Sequence, residues 1–194
     1  LWQLENVNDD SGAGNNLTNN NTVGFASGKF SNAADFGSAN TNKSLTLASN
    51  PFASADTGDW SMGCWVKLQT ELSGADAVYH LMQFDTGTAA TDAMAFFQYR
   101  RATGVNQLRI FIAADVGLDV STYDVDLGTS NWHQIVLVRN GGTAKMYLDN
   151  VLRIDATLTG STGFALTGSN FAIGCSRNND ELYRKLNNFI KYPN

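Results

Sequence analysis

The sequence predicts an all-β protein, on three observations. Its 194 residues include 18 Gly and 2 Pro, abundant Asn, Ser and Thr, and only three Glu (Glu5, Glu71 and Glu181), a composition of strands and turns rather than helices. Turn-forming clusters recur about every 8–15 residues, the spacing of a sandwich or barrel. The apolar segments between them are short, and several alternate apolar with polar residues.

A first strand is expected at Leu1–Asn6, followed by a polar loop, NDDSGAGNNLTNNNTV. GKFSNAADFG carries Phe30 and Phe36 between turn residues, and SLTLA sets Leu45 and Leu47 on one face. In DWSMGCWVKL, strand alternation puts Trp60, Met62, Cys64 and Val66 on one face and Trp65 on the other. AVYHLMQFD, AMAFFQYR and LRIFIA read as strongly apolar strands. HQIVLVRN and TAKMYLDN form the clearest hairpin, joined at Asn140-Gly141-Gly142, where Gly tolerates positive φ. VLRIDATL and NFAIGC complete the series.

Two stretches resist simple alternation. Ile135–Val138 is continuously apolar, so both faces of that strand are expected to be covered by a loop, a helix or a neighbouring subunit. In DELYRKLNNFIKY, Leu182, Leu186, Phe189 and Ile190 follow helix spacing, while Leu186, Asn188, Ile190 and Tyr192 alternate as a strand would. Pattern alone leaves both readings open.

Length suits a single domain over 1–194, large enough to bury roughly 70% of its unfolded surface without a metal or disulfide staple. The start at Leu1 suggests a piece of a longer chain. A net charge of −5 with no basic stripe argues against nucleic acid, and the apolar runs are too short for membrane insertion.

Taken in order, FGSANTNKSLTLA, GDWSMGCWVKL, NWHQIVLVRNGG, AKMYLDNVL and FAIG resemble the laminin-G-like branch of the concanavalin A-like lectin/glucanase superfamily. The likeness runs from residue 1 to about 175 and more loosely to Tyr192. It implies a jelly roll of two antiparallel sheets. It also implies that LNNFIKY is the closing strand, lying near the opening one, which favours strand over helix for 186–192. A fainter likeness to pentraxins covers MGCWVKLQTELSGADAVYHLMQFDTGTAATDAMAFF.

Candidate sites follow from residue chemistry and from these likenesses. A catalytic histidine needs a nucleophile or metal within reach, and besides His133 the chain has only His80, too few for a His-based zinc site without carboxylate help. The family places Trp132-His133 at a strand start as scaffold, with the imidazole bonded to local backbone. Tyr147 and Asp149 are read likewise, as packing and turn residues. The superfamily's glucan-cleaving members carry Glu-x-Asp-x-x-Glu on one strand, and glycoside hydrolysis needs two facing carboxylates. No such spacing occurs here, so no catalytic residue is assigned and the protein is read as a non-enzyme.

Calcium is the candidate cofactor, since it takes six to eight oxygens from loop carboxylates and carbonyls. A structural site is expected from Asp9 and Asp10 with Asn187, where Asn replaces the family's acidic residue. A rim site, by pentraxin likeness, would use Asp92, Asn179, Asp180 and Glu181, with Asp85 as a neighbour. Tyr79 and Tyr123 are the more accessible aromatics for sugar stacking, while Trp60 and Trp65 sit in a strand that reads as core. Cys64 and Cys175 read as two buried free thiols, the alternative being a disulfide that closes a long loop.

The expected function is a non-catalytic recognition module on a cell surface, secreted or on a virion, binding glycan or a surface protein through rim loops. The alternative is a structural or decoration domain contacting neighbouring subunits of an assembly, with no sugar ligand.

Overall fold

The computed structural model describes residues 2–37, 43–47, 59–73, 77–85, 94–112, 118–158, 170–174 and 189–190. The described residues form strands and no helix: β1 (Thr18–Asn20), β2 (Gly24–Ser27), β3 (Asn32–Asp35), β4 (Ser44–Leu47), β5 (Trp60–Val66), β6 (Ala77–Asp85) and β7 (Met94–Ala102). They continue with β8 (Val105–Ile112), β9 (Leu118–Thr122), β10 (His133–Asn140), β11 (Thr143–Leu148), β12 (Val151–Thr157), β13 (Asn170–Ile173) and β14 (Phe189–Ile190).

Two seven-stranded antiparallel sheets result. The first runs β1-β4-β13-β6-β7-β8-β9 and the second β12-β11-β10-β5-β14-β3-β2. Alternation decides what lies between them. Met62, Cys64, Val66, Ile135, Leu137, Ala144 and Met146 point inward from the second sheet. They share one buried cluster with Leu45, Phe97, Tyr99, Leu108, Ile110, Phe171 and Ile173 of the first sheet.

Turn chemistry sets register as expected at Gly141-Gly142, where Gly141 adopts φ 52° and its N–H donates to Asp59 Oδ1 at 2.7 Å. The Ala102–Val105 hairpin uses Thr103 and Gly104, both at positive φ (48° and 84°), which matches the right-handed twist of the strands.

Four expectations need correction. Residues 2–6 form no strand: Leu4 takes φ 59° so that its side chain can enter the core. Gln3 donates its N–H to Asp10 Oδ2 at 2.8 Å instead of to a ladder, and Trp2 stacks on Phe171 with centroids 5.4 Å apart. Second, β1 and β2 arise within and just after the segment read as loop, and β9 was not foreseen, because short polar strands leave little apolar pattern. Third, Val136 and Val138 are only half-buried. Their outer face lies in a row with Gly63 and Tyr147, and with Ser61 and Lys145, from the adjoining strands. Fourth, of the expected closing strand over 186–192 only 189–190 are among the described residues; they form β14, which pairs with β3 and β5 rather than with the opening segment.

Candidate functional site

The Trp-His segment differs from its expected local bonding. His133 Nδ1 lies 2.7 Å from Asp149 Oδ2 rather than bonding to local backbone. Asp149 Oδ1 accepts the N–H of Gln134 at 2.8 Å, and Asp149 N–H donates to Gln134 O at 2.9 Å. Asp149 and Asn150 both adopt positive φ (50° and 66°), so a single carboxylate ties the start of β10 to the turn before β12. Tyr147 is half-buried on the outer face of β11.

Of the calcium candidates, Asp92, Asn179, Asp180, Glu181 and Asn187 lie outside the described residues, as does Cys175. Asp85 ends β6, its backbone opposite Met94 and Asn170. Asp9 serves its own loop. Oδ1 accepts the Ser11 N–H (2.9 Å) and hydroxyl (2.6 Å), and Oδ2 accepts the Asn15 N–H (3.0 Å). These bonds, the Ser11 hydroxyl first, hold its carboxyl far below the usual range. An ion at Asp9 would compete with three donors already in place. Among the described residues no three His, Cys, Asp or Glu side chains gather as metal ligands.

Of the two tyrosines, Tyr123 is 62% exposed, whereas Tyr79 is half-buried and donates its hydroxyl to Thr70 O at 3.1 Å. Trp65 lies on the outer face of the second sheet, edge-on to Phe30 at 5.8 Å, with Lys29 Nζ 4.9 Å from its ring. Cys64 is a free, buried thiol.

Sequence reading missed the most organised polar surface. Because Phe97, Tyr99, Leu108 and Ile110 face the core, their alternates Gln98, Arg100, Gln107 and Arg109 face away from it. His80 on β6 stands opposite Gln98, and Ser121 on β9 opposite Arg109. Asp119 Oδ1 and Oδ2 accept from Arg109 Nε and Nη2, both at 2.6 Å, a two-point ion pair. Arg109 Nη1 donates to Gln98 Oε1 at 3.3 Å, and Gln98 Nε2 lies 3.0 Å from His80 Nε2. Arg100 donates from Nε to Gln107 Oε1 at 2.9 Å and from Nη2 to Ser121 Oγ at 3.0 Å. The Arg109 guanidinium covers the Phe111 ring at 4.8 Å.

The electrostatics follow from this wiring. Hydrogen bonding from Arg109 keeps Asp119 ionised below the usual carboxylate range, against the opposing pull of partial burial. Burial, aided by the Arg109 charge, pushes His80 down to about 4, so it is neutral at ordinary pH. The face presents two guanidiniums, a carboxylate and an aromatic ring, held on the buried amides of Gln98 and Gln107. Only the alternation of polar residues within FFQYR and QLRIF hinted at it.

A family model described as the concanavalin A-like lectin/glucanases superfamily, of laminin-G type, matches residues 38–184. The chain belongs to this superfamily. Several solved structures share a similar fold. Domain 4 of an extracellular arabinanase from Geobacillus stearothermophilus, in complex with arabinotriose, is similar at 16% identity over 95% of this chain and 85% of that one, with a TM-score of 0.63. The CBM40 module of a Ruminococcus gnavus IT-sialidase, bound to alpha2,3 sialyllactose, is similar at 13% identity over 76% of this chain and 82% of that one, TM-score 0.58. The enzymatically active domain of tailspike protein 2 from bacteriophage CBA120 is similar at 15% identity over 89% of this chain, TM-score 0.62. The laminin-G-like domain spans only 27% of that tailspike chain. No curated protein matches it in sequence. At these identities the likeness is one of fold. No helix among its described residues is long and apolar enough to cross a membrane.

Proposed function

We propose that this laminin-G-like domain is a non-catalytic glycan-recognition module, displayed outside the cell or on a virion, and that the outer face of β6–β9 is its binding surface. The observation that carries the reading is the Arg109–Asp119 pair, held on Gln98 and laid over Phe111. An ionised, half-exposed carboxylate accepts sugar hydroxyls, guanidinium N–H groups donate to ring and hydroxyl oxygens, and Phe111 offers an apolar edge. Rim loops would border this face, and calcium enters the reading at Asp92, Asn179, Asp180 and Glu181 rather than at Asp9. Similarity to domains solved with arabinotriose and with sialyllactose supports a glycan ligand.

The non-catalytic part rests on the same geometry. Asp119 is the sole carboxylate among the described side chains of the face, and it is paired with Arg109. Hydrolysis would need a second, facing carboxylate. A glycan array tests the proposal: the domain is expected to bind a defined glycan class, and Asp119→Ala to abolish that signal. An empty array, or a signal that Asp119→Ala leaves intact, would remove it. New reducing ends on incubation with the bound glycan would overturn the non-catalytic part.

A second reading, an assembly domain contacting neighbouring subunits, draws on one observation. Val151 and Leu152, 57% and 44% exposed, open the edge strand β12. A stable oligomer on size exclusion together with an empty array would favour it.

A further inference from the structure

The outer face of the second sheet carries two level rows of residues across β12, β11, β10 and β5. One row is Leu152, Tyr147, Val136 and Gly63, and the next is Asp155, Lys145, Val138 and Ser61. A sheet face that meets only water carries polar residues, yet Leu152, Tyr147, Val136 and Val138 stand together here. Val136, Val138 and Tyr147 are half-buried, and Leu152 is 44% exposed. The charges of the two rows, Lys145 and Asp155, pair with each other at 3.2 Å. The rows are therefore neutral in a chain of net charge −5, so two copies repel each other least there.

The order of residues within each row is self-complementary. A two-fold axis parallel to the strands, midway between β10 and β11, lays β10 over the partner's β11 and β5 over the partner's β12. Each Val136 then faces the partner's Tyr147. Each Leu152 faces the partner's Gly63, which brings no side chain. Val138 meets the aliphatic stem of the partner's Lys145, and the Ser61 hydroxyl can donate to the partner's Asp155. Like charges do not meet in this register.

We propose that this face is an isologous interface through which two copies of the chain pair back to back. Four strands over roughly seven residues offer roughly 450 Å² per copy. A stable complex buries about 800 Å² per partner, so the dimer is weak and reversible. It gains strength wherever copies are tethered close together. Pairing through the second sheet leaves the two β6–β9 faces on opposite outsides of the dimer, free to engage separate surfaces. The interface itself does not depend on the glycan reading.

Sedimentation velocity of the intact chain, from about 10 μM to about 1 mM, reads the association. The wild type is expected to shift reversibly from monomer toward dimer, and a monomer throughout would overturn the proposal. Val136→Asp sets a carboxylate against the partner's Tyr147 and is expected to weaken association at least about tenfold. Ser61→Asp sets a carboxylate against the partner's Asp155 and should also weaken it. Adding Asp155→Lys to that chain should restore pairing, because opposite charges then face each other across the axis. The ion pair with Lys145 that this second change removes is exposed and adds little to folding. These positions lie on the outer face, so thermal unfolding is expected near the wild-type midpoint in each variant. Undiminished association in folded Val136→Asp, or a failure of Asp155→Lys to rescue Ser61→Asp, would overturn the interface. Asp119→Ala, on the other sheet, should dimerise like the wild type, which keeps loss of glycan signal and loss of pairing distinguishable.

Discussion

The ring of Phe36 lies against the backbone of Gly174 so closely that a β-carbon there would sit 2.4 Å from Cε1 and 2.8 Å from Cδ1 and Cζ. Gly174 also adopts φ +84°, which L-residues avoid. Phe36 is fully buried, so its ring has no room to withdraw. The glycine that closes the FAIG stretch is thus a packing requirement between the two sheets. Gly174→Ala is expected to cost about 3 kcal/mol, from positive-φ strain and overpacking together. Denaturant unfolding would measure it. Phe36→Leu should cost less in the Gly174→Ala background than in the wild type, and additive losses would contradict the contact.

His80 sets a pH dependence whose sign can be worked out. Its folded pKa, about 4, lies below the unfolded value of 6.5. Between these values the unfolded chain binds a proton that the folded one refuses, so stability must rise with pH across that window. On acidification from pH 6.5 toward 4 the domain is expected to lose about 3 kcal/mol of this contribution, with no further loss from His80 below that. Chemical denaturation at several pH values measures the slope. His80→Gln should flatten it, and an unaltered slope in that variant would assign the acid sensitivity elsewhere.

Cys64 faces Ile135 and the core from the centre of β5, and burial raises its thiol well above the ordinary range. The thiolate is the reactive form, so the folded domain should resist alkylation at Cys64. Labelling is expected only at the rate of unfolding, accelerating in denaturant. Prompt modification of Cys64 in native buffer would contradict its placement.

The carboxylate of Asp149 carries both the Gln134 N–H and the His133 ring. Asp149→Ala should therefore destabilise by about 2 kcal/mol, while Asp149→Asn, which keeps an acceptor and tolerates positive φ, should cost less than half as much. Thermal or denaturant unfolding of the pair distinguishes the two. Equal losses would mean that the carboxylate's charge toward His133, rather than the bond to Gln134, matters.

How much of this was legible depends on which residues carried it. Trp60, Met62, Cys64 and Val66 repeat every second position, so the core face of β5 could be read directly. Gly141-Gly142 announced its hairpin because positive φ at the first turn residue needs glycine. The opening segment misled, since LWQLEN has strand-like residues but its backbone groups are taken by Asp10 and by bends, a choice made by tertiary contacts. The β6–β9 face was hidden for a different reason. Gln98 and Arg109 are ordinary surface residues in sequence, and only the register that puts them side by side, with Asp119 two strands from Gln98, turns them into one network.

The two calcium candidates can be separated by what Asp9 already does. Its oxygens hold the N–H groups of Ser11 and Asn15 and the Ser11 hydroxyl, and that work keeps its proton off to strongly acidic pH. Asp9→Ala is expected to free those amides, which hydrogen exchange would read as faster exchange at Ser11 and Asn15 with the core unchanged. Calcium titrated into chelator-treated protein should then bind Asp9→Asn as well as the wild type, and Asp180→Asn more weakly. Loss of calcium affinity in Asp9→Asn would instead mean that the ion displaces Ser11 and Asn15 and reorganises the opening loop around itself, since a carboxylate with three donors in place has little left to offer a cation that wants six or more oxygens.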